Sequence, residues 1–236
     1  MPNNYFQFKQ FTVQQDNCSM KVCTDACIFG ASVAHCRLPI ANCLDIGTGT
    51  GLLSLMLAQN INAEIDAVEI DKAAFTQAKE NFETSPWSSR LHIFNTDILN
   101  YTADKKYDCI ISNPPFFEDD LRSDDGSKNS AKHDTSLTLT QLLSAVNDLL
   151  SEEGSFFVLL PFHRIDFFER ESPAYHFHLN NKVLIRHTAA HPYFRGILVF
   201  SKTKLPVTIT ELVIKDENGV YTHVFVELLH DYYLNL

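Results

Sequence analysis

Asp108-Cys109-Ile110-Ile111-Ser112-Asn113-Pro114-Pro115-Phe116 is the stretch on which the fold and the site both turn. Cys109 to Ser112 has the length and apolar make-up of a buried parallel strand, and it stops at an asparagine, two prolines and a ring. Asn113 to Phe116 therefore falls at the C-terminal edge of a strand, where open α/β sheets hold their ligands. Those residues suit a flat amine. The Asn113 carboxamide oxygen accepts one hydrogen bond, and Pro114 fixes the backbone and leaves its carbonyl to accept a second. Phe116 adds a stacking surface, worth about 1 to 3 kcal/mol per base. The plainer alternative is a Pro-Pro turn with an incidental ring.

Upstream, Ala41 to Ile46 reads as a strand. Asp45-Ile46-Gly47-Thr48-Gly49-Thr50-Gly51 follows, directly before the apolar helix pattern Leu52, Leu53, Leu55, Met56, Leu57. Strand, glycine loop and helix in that order let backbone pass close to a ligand and point free amides at it. A dinucleotide-binding dehydrogenase uses the same device. Asp45 tips the balance, because a carboxylate entering the loop suits a cationic amino group better than a pyrophosphate. Ile65 to Val68 forms the next strand and ends in Glu69, near the spacing at which a carboxylate grips ribose hydroxyls. Both ligand classes call for that residue.

Asn113-Pro114-Pro115-Phe116 resembles the Asn/Asp-Pro-Pro-aromatic signature of the N6-adenine and glutamine-N5 branch of class I S-adenosyl-L-methionine (AdoMet) methyltransferases. That resemblance implies AdoMet as cofactor and Asn113, Pro114, Pro115 and Phe116 as the catalytic set. Gly47, Gly49 and Gly51 would form the cofactor loop, with Asp45 on the amino group and Glu69 and Ile70 at the ribose. It places Asp97 on the adenine amine and Ile98 on its ring, although a helix cap explains Asp97 equally well. Met20-Lys21-Val22-Cys23-Thr24-Asp25 looks like the Met-Lys-Val-x-Thr-Asp segment of bacterial valine-tRNA adenine-N6 methyltransferases, which closes over the methionine end of AdoMet. Lys21 and Thr24 join the cofactor set on that basis. Cys23 and Ala26 stand where that family has glycines.

Composition bounds the rest. A chain of 236 residues with 45% hydrophobic content buries a full core, and we expect a single domain over 1–236. Residues 1–38 would be an N-terminal strand and helix extension, and 205–236 a C-terminal hairpin. The net charge of −10 argues against non-specific clinging to nucleic acid but not against a local basic patch. No run approaches the roughly 18 apolar residues of a membrane span, and Met1 to Tyr5 lacks the regions of a signal peptide, so we expect a cytoplasmic protein. The cysteines show no zinc spacing; reduced thiols and no metal are expected.

In chain order, Tyr5 to Val13 alternates like a short strand, and Thr24 or Asp25 would cap a helix through Ala34. Phe117 to Thr138 is polar and without periodicity, as expected of a lid beside the target base. Within it, Ala131-Lys132-His133 resembles the valine-tRNA family's Ala-Arg-His, so His133 is either an RNA contact or a solvated loop residue. Leu139 to Leu150 reads as a helix and Ser155 to Leu160 as a strand, with Val183 to Ile185 and Ile197 to Phe200 as the last strands, the final one antiparallel and inserted. The expected architecture is α/β: the Rossmann-like class I sheet of seven mostly parallel strands with helices on both faces. Between Ser172 and Thr210 there is no Asp or Glu, but there are Lys182, Arg186, Arg195, Lys202 and Lys204. That window is either an RNA face, with Arg186 and Arg195 as contacts, or a solvated positive surface. Val207 to Ile214 and Tyr221 to Val226, around Asn218-Gly219, read as the hairpin.

The resemblance covers nearly the whole chain and implies a tRNA adenine-N6 methyltransferase acting beside the anticodon, at adenine 37 of a valine tRNA. Two acceptors on the adenine amine would aim its delocalised lone pair at the sulfonium methyl, with no general base. DNA adenine methyltransferases and glutamine-N5 protein methyltransferases share the motif but bring recognition domains for which this chain has no room. A non-catalytic RNA-binding module is the remaining reading.

Overall fold

The computed structural model describes residues 4–16, 20–36, 38–114 and 137–236. A two-stranded ribbon comes first, β1 (Tyr5–Gln7) against β2 (Thr12–Gln14), followed by helix α1 (Thr24–Ala34). Strands then alternate with helices: β3 (Asn42–Ile46), α2 (Leu52–Asn60), β4 (Glu64–Glu69), α3 (Lys72–Glu83), β5 (Leu91–Asn95) and β6 (Tyr107–Ser112). After the undescribed residues come α4 (Leu139–Leu149), β7 (Leu150–Pro161), α5 (Ile165–Glu171), β8 (His178–Arg186), β9 (Tyr193–Ser201), β10 (Thr208–Val213) and α6 (His223–Leu229).

Eight strands make one sheet in the order β10-β8-β9-β7-β6-β3-β4-β5. All neighbours run parallel except β9, which is inserted antiparallel between β7 and β8. The strands are apolar on both faces because helices cover both. Alternate side chains feed opposite cores: Cys109, Ile111, Phe157 and Leu159 pack with α1, α2 and α6, while Ile110, Phe156, Val158 and Leu160 pack with α4 and α5. Each fully buried Phe, Leu or Ile contributes on the order of 1.5–3 kcal/mol, so this two-sided burial is what holds the sheet.

The seven expected strands are present, and the C-terminus corrects the expected hairpin. The Asn218-Gly219 turn forms, with Gly219 at φ +80° and its amide donating to Asp216 O at 3.2 Å. Its arms meet at only one bridge, Lys215 with Tyr221. The first arm instead lies parallel on β8 as an eighth strand, and the second becomes α6, capped by Thr222. Phe225 and Leu229, one helical turn apart, are both buried, so a 3.6-residue period competed with the two-residue one and won. Tyr5 to Val13 is likewise a reversal and not one strand: the Phe8 amide donates to Phe11 O at 2.8 Å, which stacks the two rings 4.5 Å apart in the core. The N-cap of α1 is Cys23, with no side-chain cap, because Asp25 is held elsewhere.

Candidate functional site

The carboxyl ends of β3, β4, β5 and β6 open into a cleft of about 390 Å3. Two strand ends are pinned together there, since Ser112 Oγ donates to Ile46 O at 3.0 Å. Asn113 and Pro114 therefore stand beside the glycine loop at the cleft wall. Asn113 Oδ1 is buried, and among the described residues it has no hydrogen-bond partner. An acceptor left unmet in this way costs about 1–3 kcal/mol unless a ligand donates to it, so the oxygen marks where a donor belongs. Pro115, Phe116 and His133, with residues 117–136 of the expected lid, lie outside the described residues. Leu137 lines the cleft, and Thr138 with Gln141 forms a reciprocal capping box at the start of α4.

Gly47 and Gly49 sit at φ +72° and +59° with open space where a Cβ would be, so the loop presents bare backbone to the cleft. Gly51 does different work from that expected: it caps α2 at φ +83°, and a Cβ there would meet the Phe82 ring at 2.5 Å. Asp45 does not line the cleft. It is fully buried beneath the loop, where Oδ2 accepts from the Thr48 and Ser54 hydroxyls at 2.6 and 2.7 Å and Oδ1 has no partner among the described residues. Burial pushes its carboxyl up to about 6, against the pull of those two hydroxyls and with the Glu69 charge adding to the rise. Glu69 lines the cleft and ties it together, accepting from the Gly49 amide at 2.8 Å and the Asp71 amide at 2.9 Å. Ile70, Asp97 and Ile98 complete that wall, with Asp97 accepting from the Leu99 amide at 2.9 Å.

Met20, Lys21, Val22 and Cys23 line the cleft as well. Thr24 does not line the cleft. Sequence reasoning missed the residues that hang this wall. Asn81 Nδ2 donates to Thr50 O at 2.8 Å and to Gln14 O at 2.9 Å, and its Oδ1 accepts from the Gln14 amide. Gln15 then accepts from the Val22 amide at 2.9 Å. One buried carboxamide thus joins the glycine loop to the N-terminal ribbon. Ser54 carried a legible signal, a hydroxyl within an apolar helix pattern; Asn81 carried none.

The cation-rich window from Ser172 to Thr210 looks different in space. Lys182 pairs with Glu169, Arg186 with Glu211, Arg195 with Asp25 and Lys202 with Glu152, so four of its five lysines and arginines meet carboxylates from outside the window. Arg186 and Arg195 both stand at the carboxyl edge of the sheet, because Arg195 is level with Pro161 and Arg186 with Tyr193. Among the described residues no group of three His, Cys, Asp or Glu could hold a metal ion, and no helix is long and apolar enough to cross a membrane.

The family model described as "Methyltransferase small domain" matches residues 33–160. A protein of Cytophaga hutchinsonii named tRNA1(Val) (adenine(37)-N6)-methyltransferase is 41% identical, over the whole of both chains. One of Dyadobacter fermentans with the same name is 43% identical over 99% of each. This chain belongs to that family. The fold agrees: a predicted O-methyltransferase of Agrobacterium tumefaciens superposes with a TM-score of 0.69 at 13% identity, covering 89% of this chain and 99% of that one. AdoMet is the family's cofactor, and the site fits it. The bare backbone at Gly47 and Gly49, the Glu69 carboxylate at the cleft and the unmet acceptor on Asn113 at its wall are groups that such a ligand can use.

Proposed function

We infer that this chain methylates N6 of adenine 37 in a valine tRNA, working in the cytoplasm as one domain. The observation that carries the reading is Asn113 Oδ1, a buried acceptor with no partner among the described residues, at the cleft wall beside the cofactor loop. The names of the family's members support the choice of tRNA.

Bound AdoMet supplies an electrophilic methyl group on a positively charged sulfur. The chain's own work is positioning. Asn113 Oδ1 accepts one N–H of the adenine amine and the Pro114 carbonyl the other, which turns the lone pair out of conjugation with the ring and toward the cofactor. Pro115 and Phe116 complete the catalytic set in this proposal, with Phe116 as the ring on which the base stacks. Water takes the departing proton, since that proton becomes acidic once the amine is alkylated. His133, Arg186 and Arg195 belong to the RNA side of this proposal, the two arginines because they flank the edge that carries Asn113. A loop adenine suits the site, because it leaves its stack at little cost.

The test is methyl transfer from labelled AdoMet to unmodified tRNA, duplex DNA or a release-factor-like protein. tRNA should be the acceptor and N6-methyladenosine the product. Asn113→Ala and Phe116→Ala should each cut turnover far more than AdoMet affinity. Methylated glutamine, or a preference for duplex DNA, would overturn the reading.

A further inference from the structure

We propose that Phe162 is a stacking platform for an RNA base beside the target adenine, an inference that rests on the function proposed above. Phe162 directly follows Pro161, the last residue of β7. Ser112, the last residue of β6, is level with Val158 of β7. Counting on from that register, with strands about 4.8 Å apart and about 3.3 Å of rise per residue, Phe162 lies roughly 11 Å from Asn113, one strand over and three residues further out from the same edge. One or two nucleotides span that gap.

The ring is built to be stood upon. Phe162 is 43% exposed, and its other side leans on Tyr193, with centroids 5.6 Å apart and a tilt of 39°. Tyr193 is braced in turn: its hydroxyl donates to Glu211 at 2.9 Å, and the Arg186 guanidinium sits 5.2 Å from its ring centre. Arg186 is itself fixed by Glu211 at 2.8 Å and by the carbonyl of Ala189 at 2.7 Å. A lone exposed Phe on a surface means little. A rigidly backed one at the rim of the site is different, because a stacked base gains most from a ring that loses no freedom on binding.

The make-up of the rim fits RNA. Pro161–Arg164 and Arg186–Arg195 contain no Asp or Glu of their own and carry His163, Arg164, His187 and His191, while Arg186 and Arg195 are met there by Glu211 and Asp25. His187 lies flat against Phe194, centroids 4.3 Å apart. Rings interleaved with cations and imidazoles are how single strands are held without reading sequence.

The experiment uses the full chain and a valine tRNA anticodon stem-loop with 2-aminopurine at the nucleotide flanking the target. Binding to the wild type should quench the probe as it stacks. Phe162→Ala should abolish the quench and raise KM for the RNA about 5- to 150-fold, the range of one base stacked on a ring. kcat and the Kd for AdoMet should stay within twofold, and Phe162→Trp should restore both quench and KM. An unchanged quench and KM in Phe162→Ala sinks the platform, as does a loss that Trp does not rescue. Unchanged RNA binding with a dimer turned monomer would make the ring a self-association contact instead. If wild-type protein methylates the stem-loop while Phe162→Ala behaves identically, the platform alone fails; if wild type transfers no methyl to any RNA, the proposed function fails first.

Discussion

Asp45, buried beneath the glycine loop, is a carboxyl whose ionisation works against the unliganded fold. Its carboxyl is raised from 3.8 to about 6, chiefly by burial. The folded chain therefore holds this proton more tightly than the unfolded chain, so the group's contribution to stability is greatest below about pH 4 and is lost as pH rises toward 6. The stability of wild type relative to Asp45→Asn, from denaturant melts without cofactor, should fall over that range by at most about 3 kcal/mol. A flat difference would mean that the carboxyl titrates normally. A cationic amino group nearby would offset the burial, so Asp45→Asn should also lose about 1–3 kcal/mol of AdoMet affinity in calorimetry at pH 7.5. Glu69→Ala should lose a similar amount of affinity and also stability, because it frees the Gly49 and Asp71 amides together. Wild-type affinity in both variants, or tighter binding of NAD, would overturn the cofactor assignment.

At the scale of elements, the glycine loop separates binding from folding. Gly47 and Gly49 face open space, so alanine there meets only the backbone penalty of positive φ, about 1 kcal/mol, while placing a methyl where bound AdoMet would approach the loop. Gly51→Ala pays the same penalty and also drives a methyl into Phe82. Thermal melts should rank Gly51→Ala well below the other two, and AdoMet titrations should single out Gly47→Ala and Gly49→Ala. If all three lost stability equally, the loop would be a structural turn and no more. This loop and the Asn113 edge were legible in the sequence because each is local: a strand, then residues whose chemistry is written side by side. The N-terminal reversal, the Asn81 clamp and α6 were not, because each depends on partners far along the chain, Gln14 with Asn81 and Phe225 with the α1 side of the core.

For the whole molecule, charge in a sequence window did not foretell charge on a surface. The acid-free stretch from Ser172 to Thr210 folds as β8 and β9 between neighbours that supply Glu152, Glu169, Glu211 and Asp25, so most of its cations meet a counter-charge. The bridges differ in what they hold. Arg195 joins β9 to Asp25 at 2.8 Å, in the first turn of α1, whose Cys23 and Ala26 line the cleft. Arg186 braces Tyr193 at the rim. Arg195→Ala alone, and Asp25→Ala alone, should therefore raise the Kd for AdoMet, while Arg186→Ala alone should leave AdoMet binding untouched and weaken tRNA binding. Each fully available cation on a phosphate changes the slope of log K against log salt by about 0.9, and a cation already shared with a carboxylate contributes less. The Arg186→Ala, Arg195→Ala double variant should flatten that slope by clearly less than 2, measured by filter binding from 50 to 300 mM salt. An unchanged slope and tRNA affinity would leave both arginines with structural work only, and would move the search for phosphate contacts to His133 and the segment around it.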